Sequence, residues 1–112
     1  MFVRIARFEG GKAAEIEAEG TRIQRDLGQI GGRGQGEIPP ELARLASRLE
    51  MLVDRERGAV AMLVYAKTED DIRQIDRIMN EMSPSTGEWG RRVSVEIYEV
   101  FLDKSPQLAK AA

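Results

Sequence analysis

Residues 49–82 read LEMLVDRERGAVAMLVYAKTEDDIRQIDRIMNEM, and this stretch decides the fold. Ala59–Ala66 (AVAMLVYA) is the strongest strand in the chain, apolar on both faces. It follows Asp54-Arg55-Glu56-Arg57-Gly58, a polar segment closed by glycine between two apolar runs, which predicts a hairpin. Thr68 then caps a helix. Glu69, Asp70 and Asp71 fall in its first turn, where the helix dipole favours negative charge, and Asp71 stands three residues after Thr68 as in a loose capping box. Ile72, Ile75, Ile78, Met79 and Met82 form its buried stripe, and Ser83-Pro84 ends it.

Working outward, Phe2–Phe8 reads as a first strand, with Val3 and Ile5 on one face and Phe2, Ala6 and Phe8 on the other. Ala13 to about Ile30 reads as a helix on the stripe Ile16, Ile23, Leu27 and Ile30, with Gly20 letting it approach the sheet closely. Residues 28–40 change composition, to five glycines and two prolines, and form a long insertion. Residues 41–53 fit two patterns. The preferred one is a short helical turn from Pro40 to about Leu45, followed by a strand to Val53 with Leu49, Met51 and Val53 inward and Arg48 and Glu50 outward. Residues 85–90 form a loop, Val93 to about Leu102 is the last strand, and a small polar tail frays from Asp103. The order β-α-β-β-α-β is the split βαβ arrangement of ferredoxin-like α+β folds, with a four-stranded antiparallel sheet and both helices on one face. We expect one domain over residues 1–103 and a flexible tail over 104–112.

Composition removes whole classes of chemistry. The 112 residues contain no cysteine and no histidine. That excludes thiol nucleophiles, disulfides, Ser-His-Asp triads and histidine or cysteine metal sites. A net charge of −2 gives no footprint for nucleic acid or an anionic membrane. No apolar run approaches the roughly 20 residues of a membrane span, and the alternating N-terminus is not a signal peptide, so a cytoplasmic location is expected. Gly31-Gly32-Arg33-Gly34-Gln35-Gly36 lacks the preceding strand and the following Lys-Ser/Thr of a phosphate loop. The acidic cluster Glu69-Asp70-Asp71 is explained by helix capping, so neither a metal nor a cofactor is expected.

Two helices cover only one face of a four-stranded sheet, yet strands one, three and four read as apolar on both faces. Such a face measures roughly 400 Å², and covering it contributes on the order of 10 kcal/mol before association costs. The simplest cover is a second copy related by a two-fold axis. The alternative is that the Gly-rich insertion and the tail fold over the face, although glycine buries little apolar surface.

Residues 49–82, preceded by the FVRIARFEG strand and followed by RRVSVEIYEV, resemble the small dimeric α/β-barrel proteins. Within them the chain is most similar to the antibiotic-biosynthesis-monooxygenase-like group. The resemblance covers residues 2–10 and 45–102 and omits the insertion at 28–40. It implies a homodimer whose two sheets pack into a barrel, with a cavity between each sheet and its helices or loops for a small apolar or aromatic ligand. Some members oxidise polycyclic aromatic substrates with O₂ and no cofactor, and others degrade haem. Haem degradation there relies on a histidine ligand, which this chain lacks. Members often carry tryptophan just before the acidic capped helix, where this chain has Ala66 beside Tyr65.

The candidate ligand-binding residues are Arg4, Tyr65, Trp89, Glu96 and Tyr98; no catalytic residue is assigned. With Val3 and Ile5 facing the helices, Arg4, Glu96 and Tyr98 project together from the opposite face, and Arg4 pairs with Glu96. A tyrosine and an arginine could orient a phenol and stabilise its anion in cofactor-independent, monooxygenase-like chemistry. The plainer reading, which we prefer, is a buried polar pair at a dimer interface, and Trp89 reads as a packing anchor before a pocket lid. Two functions follow: a ligand-binding or oxygenase-like dimeric barrel, or a non-catalytic dimeric structural or binding module. A cavity filled by Phe2, Phe8, Met62 and Leu63 favours the second. On this reading a charge placed at Val100 or Phe8 lowers solubility or dissociates the dimer, and unchanged assembly of those variants in sedimentation would count against the face assignment.

Overall fold

The computed structural model describes residues 1–27, 39–82, 86–87 and 89–106. The elements are β1 (Phe2–Gly10), α1 (Ala13–Leu27), α2 (Pro40–Leu45), β2 (Arg48–Asp54), β3 (Ala59–Ala66), α3 (Glu69–Met82), β4 (Thr86–Gly87) and β5 (Gly90–Glu99). The sheet is antiparallel in the order β2-β3-β1-β5-β4. Its four long strands make the ferredoxin-like arrangement expected from the sequence. The expected loop over 85–90 contains an unpredicted element, because Thr86 and Gly87 pair with Arg91 and Gly90 as β4. The insertion expected at 28–40 lies outside the described residues as far as 38, as do the Ser83-Pro84 stop and tail residues 107–112.

Local signals explain most boundaries. Thr68 Oγ1 accepts a hydrogen bond from the Asp71 amide (3.1 Å), so the cap holds the first turn of α3. Pro40 opens α2, where its missing N–H costs nothing. In the β2–β3 hairpin Asp54 Oδ1 accepts from the amides of Glu56 (3.1 Å) and Arg57 (3.2 Å). Gly58 completes the turn at φ 64°, and its N-terminal neighbour in space is Gly11, whose amide donates to the Gly58 carbonyl at 3.1 Å. A Cβ at Gly58 would stand 2.2 Å from the Gly11 carbonyl oxygen, so only glycine fits there. The close approach expected at Gly20 is to Met51 Sδ, where an added Cβ would sit in ordinary contact at 3.4 Å; glycine is not required.

One face of the sheet carries all three helices. Leu42 and Leu45 of α2 and Ile72, Ile75 and Met79 of α3 pack on Met62, Val64 and Ala66 of β3. Ile16 of α1 packs on Ala6, Phe8 and Val60. Ile72, Ile75 and Val64 are fully buried.

The register corrects the expected faces of β1. Phe2 lies opposite Ala66 and Glu99, Arg4 opposite Val64 and Ile97, and Ala6 opposite Met62 and Val95. Phe2, Arg4, Ala6 and Phe8 therefore face the helices, and Val3 and Ile5 face away. Two apolar faces on one strand made either assignment compatible with its pattern, and the helices took the bulkier set. A charge at Phe8, which is 6 % exposed in the core, would consequently disrupt folding rather than a dimer. A bulge in β5 after the Arg7–Ser94 pair leaves Val93 41 % exposed, while Val95 and Ile97 face inward as expected. The outward face of β5 carries Ser94, Glu96 and Tyr98, so it is polar rather than apolar.

Candidate functional site

The face away from the helices forms three rows across β2, β3, β1 and β5. The first is Arg48, Tyr65, Val3 and Tyr98; the second is Glu50, Leu63, Ile5 and Glu96; the third is Leu52, Ala61, Arg7 and Ser94. Val3, Ile5, Leu63 and Ala61 make an apolar centre. Tyr65 and Tyr98 stand on either side of Val3, with Cα atoms about two strand spacings, ~9.6 Å, apart. Val3 is only 7 % exposed although it is on the open side.

Each tyrosine belongs to a small polar cluster. The Tyr65 hydroxyl donates to Glu50 Oε1 at 2.9 Å, and Arg48 Nη2 lies 2.8 Å from Glu50 Oε2. The Arg48 guanidinium also sits 5.9 Å from the centre of the Tyr65 ring. On the other edge the Tyr98 hydroxyl donates to Glu96 Oε2 at 3.0 Å, and Arg7 Nε lies 3.6 Å from Glu96 Oε1. The hydrogen bond from Tyr65, followed by that from Arg48, holds the Glu50 carboxyl below its usual range. Burial first, and then the bond to Glu50, push the Tyr65 phenol up. The bond to Glu96 raises Tyr98. Both phenols are therefore protonated donors at neutral pH, and neither is poised as a base or a phenolate.

Arg4 does not join this surface. It lies 1 % exposed between the sheet and α3. Its Nε bonds Asp76 Oδ1 (2.8 Å), its Nη2 bonds Asn80 Oδ1 (3.0 Å), and its Nη1 approaches Met79 Sδ (3.7 Å). Arg92 Nη1 shares the same Asn80 oxygen at 2.9 Å. The expected Arg4–Glu96 pair does not form, because the register sets Glu96 opposite Ile5. The guanidinium is a buried pin between β1 and α3, and its donors are committed to protein partners.

Trp89 also sits on the helix side. Its ring meets Phe8 edge to face, with centroids 5.1 Å apart, and packs against both core clusters. Of the two readings, the packing anchor is the one its contacts fit. Among the described residues its buried indole N–H is left without an acceptor.

Of the five candidates, the open face brings together Tyr65, Glu96 and Tyr98; Arg4 and Trp89 lie on the other side. Sequence reasoning missed Arg7, Arg48 and Glu50, although alternation along β2 had placed Arg48 and Glu50 outward. It also missed Asp76 and Asn80, whose four-residue spacing from Ile72 put a carboxylate and an amide in line with a buried isoleucine. Among the described residues no three acidic, histidine or cysteine side chains gather to hold a metal ion. None of the described helices is long and apolar enough to cross a membrane.

Comparison with known proteins leaves the fold to stand on its own geometry: no family model, no curated protein and no solved structure matches this chain.

Two measurements check this site. In a spectrophotometric titration of tyrosinate, both phenols ionise above the ordinary value of about 10, and Glu50→Gln lowers the Tyr65 transition. The sign follows from the raised folded-state values: stability contributed by these protonated phenols is complete below about pH 10 and is lost as pH rises through the folded-state transitions. Ionisation of Tyr65 at or below its ordinary value would contradict the hydrogen-bonded cluster. For the pin, Asp76→Ala strands a buried charge and costs about 2–4 kcal/mol in urea denaturation, while Arg4→Met costs about 1 kcal/mol or less. Equal losses would show that Asp76 does not compensate Arg4.

Proposed function

We infer that this protein is one protomer of a homodimer of the dimeric α/β-barrel type. The open sheet face is its contact, and the dimer binds a small apolar or aromatic ligand without chemical turnover. The observation that carries this reading is the uncovered apolar centre Val3, Ile5, Leu63 and Ala61, framed by two tyrosine–glutamate–arginine clusters. Tyrosine and arginine around an apolar centre are the residue types that interfaces favour. Exposed Leu52 (52 %) and Tyr98 (49 %) extend the same surface.

The non-catalytic half rests on the commitments of the polar groups. Cofactor-independent oxygenation of the monooxygenase-like kind needs a group that takes a proton from the substrate or holds its anion. Here both tyrosine hydroxyls donate to carboxylates, and Arg4 is spent on α3. Between sheet and helices, Phe8 and Met62 are buried in the core, which favours packing over a substrate chamber on that side. Ligand contact is then between the two paired faces, by ring stacking and apolar packing beside Tyr65 and Tyr98.

Native mass spectrometry of gently purified protein tests this reading. The expected species has twice the 12.5 kDa protomer mass and gains mass on incubation with 1-naphthol, an aromatic probe. Ile5→Asp gives a monomer with an unchanged circular dichroism spectrum. A monomer of the parent chain at micromolar concentration would contradict the dimer, and a dimer that takes up no probe would contradict the ligand site.

A further inference from the structure

The open face is high at one end and hollow at the other. At the Met1 end Tyr65 and Tyr98 rise on either side of Val3. The chain leaving β5 adds to that end: the Val100 amide donates to the Met1 carbonyl at 2.9 Å, and the charge of Asp103 is felt at the Tyr65 hydroxyl. This short arm displays Phe101 at 98 % and Leu102 at 75 % exposure. Two consecutive large apolar side chains are thus held out to water beside an apolar sheet face.

At the hairpin end, about 20 Å away along β3, the face falls into a pocket of about 240 Å³. Ala59 and Ala61 of β3 form its floor, between Leu52 and Asp54 on β2 and Arg7 and Glu9 on β1. Arg57 closes the outer rim, 3.8 Å from Glu9 and 3.7 Å from Asp54. The pocket is hollow because the alanines are shorter than the side chains on either side.

We propose that two copies stack their open faces about a two-fold axis lying in the interface and perpendicular to the strands, so that the Phe101–Leu102 arm of each copy seats in the alanine-floored pocket of the other. This rests on the reading of the open face as the dimer contact and adds its geometry.

Three arguments select this arrangement. An axis along the strands would set tyrosines and arm against tyrosines and arm, while leaving the two hollows to face each other. The perpendicular axis lays the high end of each face over the hollow end of its partner, which is how dense packing is reached. Area is the second argument. A stable interface takes about 800 Å² from each partner, and the sheet face alone offers roughly 400 Å². Phe101 and Leu102 together supply roughly 300 Å² more. Third, the arm carries one charge of each sign, Asp103 and Lys104, and the pocket rim carries both signs, Arg7 and Arg57 with Glu9 and Asp54, so each arm charge has an opposite charge to meet there. The isologous symmetry makes the exchange reciprocal, so each pocket is complete only when the partner's arm fills it.

The chain has no cysteine, so introduced thiols report contacts without interference. Asp103→Cys and Arg57→Cys change exposed side chains. The two variants are purified separately, mixed, left to exchange subunits and treated with a short bismaleimide. The proposal predicts a covalent dimer in the mixture and none with either variant alone. Cross-linking of Asp103→Cys to itself would overturn it, since that places like ends together. A dimer by sedimentation that yields no cross-link in the mixture overturns the arm's seat while leaving the sheet contact standing, whereas a monomer by sedimentation overturns both. As a second variant, Phe101→Ala removes a side chain that the folded protomer does not use. The dimer dissociation constant should rise at least tenfold, and an unchanged constant would overturn the proposal.

Discussion

The position of β1 between β3 and β5 governs everything else in this molecule. With Arg4 opposite Val64 and Ile97, the even-numbered side chains from Phe2 to Phe8 go to the helices and Val3 and Ile5 go to the open side. A slip of one residue would bring Val3 and Ile5 under the helices and turn the arginine outward. The observed register instead requires a guanidinium inside the protein, and α3 answers it with Asp76 and Asn80. Packing of β1 and docking of α3 are therefore parts of one arrangement, in which the buried charge tolerates only a narrow set of helix positions.

The same register creates the open face. Val3 falls between Tyr65 and Tyr98, and Ile5 falls between Leu63 and Glu96. Each outer carboxylate then meets a tyrosine and an arginine, one set on β2 and β3 and the other on β5 and β1. The result is an apolar strip with satisfied polar margins. Both tyrosine hydroxyls at these margins donate to carboxylates, and each carboxylate also has an arginine beside it. Their protonated phenols suit binding better than proton transfer.

Much of the fold was legible in the residues. Thr68 and its acidic first turn marked the start of α3, Asp54 to Gly58 marked the hairpin, and Pro40 opened a short helix before β2. Alternation in β2 separated Leu49 and Met51 from Arg48 and Glu50 correctly. The reading went astray where local pattern had no unique solution. β1 carries apolar residues on both faces, and Arg4 within it pointed to water by default; its partners lie 72 and 76 positions away. The bulge that exposes Val93 shifts the alternation of β5 at one point, which no periodicity announces. β4 is two residues long and is defined by its partner strand alone. Consequently three of the five candidate site residues gather on the open face, and the arginine expected beside them is replaced by Arg7.

Solvent access to the strip tests the central claim most directly. Methyl NMR spectra of the labelled protein, recorded with a soluble paramagnetic agent, compare Ile5 and Leu63 with the fully buried Ile72 and Ile75. If two open faces pack together, the Ile5 and Leu63 signals stay as sharp as those of Ile72 and Ile75 and broaden only when the protein is diluted to monomer. Strong broadening of Ile5 and Leu63 at every protein concentration would mean that water reaches the strip, and that nothing covers this face.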